Sequence, residues 1–181
     1  NGSVGIGTGF STNIPCFNPV EIVQYIKNSL NGCGENNITL SPYYRHFKGT
    51  IEHVDDMKYA TNGNIVVKSN TLTITELPIG TWTGDYKVFL ESLLEDTTKK
   101  QKTFIHDFTD NSTDEQVQFT ITCRPETIQS LTNDKNVDSI ESMFKLTSRI
   151  NETNLHLYDE IGKIKRYDTI YDILDDYYKV R

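Results

Sequence analysis

Two hydrophobic periods alternate along this chain, and this alternation constrains its fold more than any other feature. At residues 49–77, and again at 116–121, apolar residues recur at every second position, which is typical of half-buried strands. Elsewhere they recur three or four positions apart, which is typical of amphipathic helices. Because the chain has no internal repeat, the pattern predicts one α+β domain in which helices pack on an antiparallel sheet.

Start signals and apolar stripes predict three of the helices. The first has Asn18 as its cap, Pro19 at its first position and Glu21 in its first turn. The second begins at Thr83. The third begins near Thr169, and Asp172 follows three residues later, as in a capping box.

The segments between these helices are predicted from turn residues and polarity. They comprise a polar connection at 33–37, a turn at Asn62-Gly63-Asn64, a loop with Lys99, Lys100 and Lys102, a short helix from Pro125, a strand-like stretch at 143–157 and a turn at Gly162.

Residues 1–17 are rich in glycine and predict a shaped loop rather than a regular element. The loop does not match a nucleotide-binding motif, because Phe10 replaces the last glycine of a dinucleotide fingerprint and no Gly-Lys-Ser/Thr follows. Two interpretations remain open. One is a strained turn without a ligand. The other is a wedge, in which Ile6 lies between two glycines and enters a base step from the minor groove.

The charge balance limits how this chain can contact nucleic acid. Its 18 basic and 25 acidic residues give a net charge of -7, so any phosphate contact must come from a local patch. Arg45, His46 and Lys48 form one candidate patch, and Lys163 and Lys165 form another. A solvated surface explains both patches equally well. No apolar run approaches the length of a membrane span, so we expect no membrane partner.

Several blocks of sequence resemble type IIA DNA topoisomerases, in order and along almost the whole chain. The amino-acid sequence of these blocks is closer to the enzymes of eukaryotes and large DNA viruses than to bacterial gyrase. Residues 99–138 depart most from the family. The blocks are residues 1–19 (NGSVGIGTGFSTNIPCFNP), 41–52 (SPYYRHFKGTIE), 72–83 (LTITELPIGTWT), 144–153 (FKLTSRINET) and 162–181 (GKIKRYDTIYDILDDYYKVR).

The resemblance implies a domain organisation. Residues 1–17 would be a glycine-rich DNA-bending loop that follows a winged-helix domain. Residues 18–168 would be the tower domain of the DNA gate, and residues 169–181 would start the helix that leads into a coiled coil. By motif, the family's DNA-bending isoleucine falls on Ile6.

The resemblance also implies a partner, which is double-stranded DNA. We expect Ile6 to enter the duplex and polar or basic groups to contact phosphates around it. The expected DNA-binding residues are Gly5, Gly7, Thr8, Ser11, Thr12, Asn13, Arg45, His46, Lys48, Lys163 and Lys165.

We predict no catalytic residue and no metal ligand within the chain. The family's nucleophilic tyrosine follows an arginine, but Arg166-Tyr167 has the context of the segment before the last helix, so we expect Tyr167 to pack. The nucleophile would lie upstream of Asn1, in a longer protein of which this chain is an inactive part. The complete enzyme would be a homodimer that uses Mg²⁺ and ATP to pass one duplex through a transient break in another.

A second function stays open, which is an autonomous protein-interaction or structural domain without nucleic-acid binding. The net charge of -7 favours it. The expected location is the nucleus, or the host cytoplasm or virion if the source is a large DNA virus.

Overall fold

The structure, a computed structural model, describes residues 1–32, 38–95, 105–124 and 137–181. The predicted polar connection at 33–37, the lysine-containing loop at 99–102 and the short helix from Pro125 lie outside these residues.

Helices and strands are mixed along the described residues, and the strands of three of the sheets pair antiparallel. The predicted α+β class is therefore confirmed. The elements are β1 (Ser3–Ile6), β2 (Ser11–Ile14), α1 (Pro19–Leu30), β3 (Thr50–Asp55), β4 (Lys58–Asn62), β5 (Asn64–Lys68), β6 (Thr71–Glu76), α2 (Thr83–Glu95), β7 (Ile105–Asp110), β8 (Phe119–Cys123), α3 (Val137–Met143), β9 (Thr147–Asn151), β10 (His156–Tyr158), β11 (Ile164–Arg166) and α4 (Ile170–Val180).

The chain divides into two units, each with its own core. Unit 1 comprises Asn1–His46, His53–Tyr59 and Ile150–Arg181, and unit 2 comprises Phe47–Glu52 and Ala60–Arg149.

Unit 2 is built on a four-stranded sheet with the strand order β5-β6-β8-β7. Side chains alternate between the two faces of a strand, and Ile74 of β6 lies opposite Phe119 of β8 on the buried face. The Tyr86 hydroxyl donates to the Phe144 carbonyl at 2.7 Å, so this phenol keeps a partner inside the core, and burial raises its pKa. The buried cluster consists of Leu72, Ile74, Leu77, Tyr86, Leu90, Ile105, Phe119, Ile121, Cys123, Ile140, Phe144 and Leu146.

The predicted turn at Asn62-Gly63-Asn64 is wrong. β4 pairs in the sheet β3-β4-β9 and β5 pairs with β6, so the chain changes sheets at Gly63 instead of turning back. A Cβ on Gly63 would lie 2.4 Å from the Glu76 carbonyl oxygen, which explains why glycine is needed there. The β5–β6 hairpin closes at Ser69, whose φ of 48° is left-handed.

Unit 1 has a smaller core, and two of its helices confirm their predicted start signals. The Asn18 side chain accepts a hydrogen bond from the Val20 amide at 3.0 Å at the start of α1. At the start of α4, Thr169 and Asp172 form the predicted capping box. The buried cluster consists of Ile14, Phe17, Leu40, Leu155, Tyr167 and Ile170.

Two of the predicted strands have different boundaries in the structure. The strand predicted at 116–121 begins three residues later, since the Ser112 and Thr113 side chains accept hydrogen bonds from the Gln118 and Gln116 amides in a loop. The stretch predicted at 143–157 is divided between the end of α3, β9 and β10. The predicted turn at Gly162 is confirmed, with a φ of 77°.

Candidate nucleic-acid interface

The glycine-rich segment is a β-hairpin rather than the predicted loop, and we call residues 3–14 the arm. β1 and β2 pair antiparallel, with Ile6 opposite Ser11 and Val4 opposite Asn13. Glycine lowers strand propensity, which hid this hairpin from sequence patterns. The base of the arm is fixed, because Ile14 is buried and the Asn1 side chain accepts a hydrogen bond from the Phe17 amide at 2.6 Å.

The tip of the arm is a tight turn. The Gly7 amide donates to the Phe10 carbonyl at 2.8 Å, and Gly9 has a φ of 85°, which an L side chain rarely adopts. The glycines that suggested a loop therefore close a hairpin.

One face of the arm carries exposed apolar side chains. Ile6 is 93% exposed and Val4 is 79% exposed, although both lie in a strand. Cross-strand partners share a face, so Ser11 and Asn13 flank them with polar groups. The sequence motif pointed to Ile6 but not to Val4, which the period of two would have placed beside it.

Asn154 holds the second strand of the arm, and sequence reasoning missed it. Its carbonyl accepts hydrogen bonds from the Asn13 amide at 2.9 Å and from the Thr12 hydroxyl at 3.4 Å. Its side-chain amide donates to Ser11 Oγ at 2.9 Å. These partners are more than 140 residues apart in sequence, so no local pattern could reveal them.

These hydrogen bonds separate the predicted DNA-contacting groups into two sets. The Gly7 and Asn13 amides and the Thr12 hydroxyl already donate within the protein. The exposed Thr8 hydroxyl and Asn13 side chain, and the hydroxyl hydrogen of Ser11, remain available to a ligand. The arm thus presents an apolar face with a few polar groups beside it.

The second basic patch lies on the hairpin of β10 and β11. Lys165 forms an ion pair with Asp176, and this hydrogen bond raises the pKa of Lys165 and lowers that of Asp176. Its ammonium also lies 4.6 Å from the centre of the Tyr167 ring. The Lys163 side chain is exposed just before β11. Lys163 is therefore better placed than Lys165 to meet an external anion.

The first basic patch is divided between the two units. Arg45 and His46 are exposed in unit 1, and His46 has a left-handed φ of 67°. Lys48 is exposed in unit 2, where its amide donates to Glu76 Oε2 at 3.2 Å.

Comparison with known proteins identifies the family. The family model for the A subunit of DNA gyrase/topoisomerase IV matches residues 1–181, which is the whole chain. The chain belongs to this family. The resemblance to type IIA DNA topoisomerases is therefore confirmed.

Relatives and solved structures agree with this assignment. DNA topoisomerase 2 of Pisum sativum is 39% identical over 183 residues, and that of Plasmodium falciparum (isolate K1 / Thailand) is 42% identical over 178 residues. These matches cover 100% and 98% of this chain but 12% of either relative. The crystal structure of the Plasmodium falciparum topoisomerase II DNA-binding, cleavage and re-ligation domain matches with a TM-score of 0.88 and 41% identity, covering 99% of this chain and 23% of that one.

Tyr167 packs in unit 1, as predicted. It is buried in the core, its amide donates to the Leu155 carbonyl at 2.8 Å, and burial raises the pKa of its phenol. A buried phenol with a raised pKa is a poor nucleophile, which agrees with a packing role for Tyr167.

Neither a metal centre nor a membrane span is found in the described part of this family member. Residues 1–32, 38–95, 105–124 and 137–181 contain no group of three or more His, Cys, Asp or Glu side chains that could hold a metal ion. Over the same ranges, no helix is both long and apolar enough to cross a bilayer.

Proposed function

We propose that this chain forms the DNA-bending and supporting part of the DNA gate of an ATP-dependent type IIA topoisomerase. Such an enzyme breaks one duplex, passes a second duplex through the break and reseals the first. The chain spans 12% of the relatives it matches, so this activity belongs to a complete enzyme rather than to these residues alone.

The exposure of Ile6 carries the proposal. A strand isoleucine that is 93% exposed, on an arm with a fixed base, has an apolar surface without a partner among the described residues of its unit. Inserted between base pairs from the minor groove, this side chain leaves water. The kink it stabilises lets more of the duplex backbone reach the protein. Unstacking costs a few kcal/mol, which these contacts offset.

The groups around Ile6 suit phosphate and sugar contacts. Gly5 and Gly7 flank Ile6 and let the backbone approach the duplex closely. Thr8, Ser11 and Asn13 offer hydroxyl and amide groups. The hydroxyl of Thr12 already donates to the Asn154 carbonyl. Farther along the duplex, the candidate phosphate contacts are Arg45, His46, Lys48, Lys163 and, more weakly, Lys165. Contacts of this kind are tolerant of sequence.

The chemical step would belong to other parts of the complete enzyme. We assign residues 18–168 to the tower domain and residues 169–181 to the start of the coiled-coil helix. The nucleophilic tyrosine, the Mg²⁺ ligands and the ATP site would lie outside this chain, and the working enzyme would be a homodimer. We propose a nuclear location, since the relatives reported above are eukaryotic and none of them is viral.

The test is an Ile6→Ala substitution in the complete enzyme. Bending is measured by fluorescence transfer between dyes at the ends of a duplex, and cleavage is measured on the same duplex. The substitution removes three carbon atoms, each worth about 0.8 kcal/mol when buried, so we expect roughly sixtyfold weaker bending and cleavage.

Ile161→Ala is the matched control, because Ile161 is also exposed in unit 1 but lies outside the arm. We expect this control to bend and cleave DNA like the wild type. Unchanged bending by Ile6→Ala would contradict the proposal and would favour a domain that binds no nucleic acid.

A further inference from the structure

The arm needs support beyond its own two strands. Each strand has four residues, and an isolated two-stranded hairpin is marginally stable in water. The burial of Ile14 and the hydrogen bond that the Asn1 side chain accepts from the Phe17 amide hold only its base. A wedge that must enter a base step in one orientation requires a second anchor nearer the tip.

Asn154 supplies this anchor through three consecutive residues of β2. The Asn154 carbonyl accepts from the Asn13 amide and the Thr12 hydroxyl, and its side chain donates to Ser11 Oγ. Ser11 is the cross-strand partner of Ile6. The hydrogen bond from Asn154 to Ser11 therefore holds the residue directly opposite Ile6 in the hairpin.

A second bond fixes the orientation of the Asn154 amide. With its nitrogen donating to Ser11, its oxygen accepts from His156 Nδ1 at 2.8 Å, which sets the tautomer of that histidine. The His156 ring also lies 6.3 Å from the Phe10 ring at the tip of the arm, measured between centroids. These contacts connect the tip of the arm, β2 and β10.

We propose that Asn154 is a positioning residue for the Ile6 wedge, and this inference rests on the proposed function. Asn154 touches no DNA in this account. It holds β2 so that Ile6 meets the duplex in one orientation, and it should therefore affect bending and cleavage more than DNA affinity.

The test compares Asn154→Ala with Ile6→Ala and with the double substitution in the complete enzyme. Asn154→Ala removes the bonds to Ser11 and His156 but keeps the backbone carbonyl. We expect about fivefold slower cleavage with a DNA dissociation constant within about twofold of the wild type. If Asn154 acts through Ile6, adding Asn154→Ala to Ile6→Ala should cause no further loss.

Hydrogen exchange of the arm amides gives a readout that does not depend on DNA. We expect exchange of residues 3–14 to be about tenfold faster in Asn154→Ala, with an unchanged melting temperature. Asn151→Ala is the control, since Asn151 is exposed at the end of β9 and should leave the arm unchanged.

Two outcomes would overturn the inference while leaving the proposed function intact. One is that Asn154→Ala slows cleavage by the same factor with and without Ile6. The other is that it leaves arm exchange and cleavage at wild-type values while Ile6→Ala still weakens bending. If Ile6→Ala itself has no effect, the proposed function fails and the role of Asn154 fails with it.

Discussion

The sheet of unit 2 and the arm of unit 1 use similar strands for opposite purposes. Phe119 and Ile74 lie on a sheet face backed by helices and are fully buried, whereas Ile6 and Val4 lie on an arm face that no described residue of their unit covers. Apolar strand residues therefore have different meanings in the two regions. In the sheet they account for folding, and in the arm they leave an exposed apolar surface, to which we assign a partner in the proposed function.

The largest expected effect concerns the buried side chains of the unit 2 sheet. Phe119→Ala should lower the free energy of unfolding by about 3–5 kcal/mol, because it removes a fully buried ring and leaves a cavity. Denaturant titration of the chain measures this loss. The matched control is Val88→Ala on the exposed face of α2, which should change stability by less than about 0.5 kcal/mol. A loss below about 1 kcal/mol for Phe119→Ala would contradict the assigned core.

A smaller effect concerns a buried polar atom of unit 1. Glu152 Oε1 is buried without a hydrogen-bond partner among the described residues, and burial raises the pKa of this carboxyl from 4.5 to about 7. The unfolded chain loses this proton near pH 4.5 and the folded chain near pH 7. Stability should therefore fall as the pH rises between these values and then level off.

Glu152→Gln tests this by removing the charge and keeping the shape. Because the carboxyl is only half-buried, solvent screening reduces the effect to about 1–2 kcal/mol. We expect the variant to be more stable than the wild type at about pH 8 and similar to it at about pH 4, measured by denaturant titration. Parallel pH profiles for the two proteins would show that Glu152 does not carry the dependence.

The smallest expected effect separates the two lysines of the β10–β11 hairpin. Lys163→Gln should reduce the salt slope of DNA binding by about 0.9, the value for one phosphate contact. Lys165→Gln should change the slope less, because its ammonium already pairs with Asp176. Binding of the complete enzyme at several salt concentrations measures both slopes. A larger change for Lys165 would reverse our ranking of these residues.

Local signals predicted much of the fold. Helix caps act within one turn, so Asn18 and Thr169 marked the starts of α1 and α4 correctly. The alternation of Phe119 and Ile121 identified a strand, although the polar residues before it were wrongly included. The sheet change at Gly63 could not be predicted, because it depends on where the Glu76 carbonyl lies.

The candidate site was only partly predictable. The motif pointed to Ile6, but the glycines concealed the hairpin that exposes it. Asn154 and His156 join the arm only in the folded chain, and their partners are far away in sequence. The sequence thus pointed to Ile6, the proposed wedge, but not to the residues that contact its arm from outside.

Base stacking at the bent step tests the central claim most directly. A 2-aminopurine placed at that step becomes brighter when it is unstacked, so its fluorescence reports insertion by Ile6. We predict a large rise when the wild-type complete enzyme or its Ile161→Ala variant binds, and almost none with Ile6→Ala. An equal rise with Ile6→Ala would show that another group opens the step and would contradict the account.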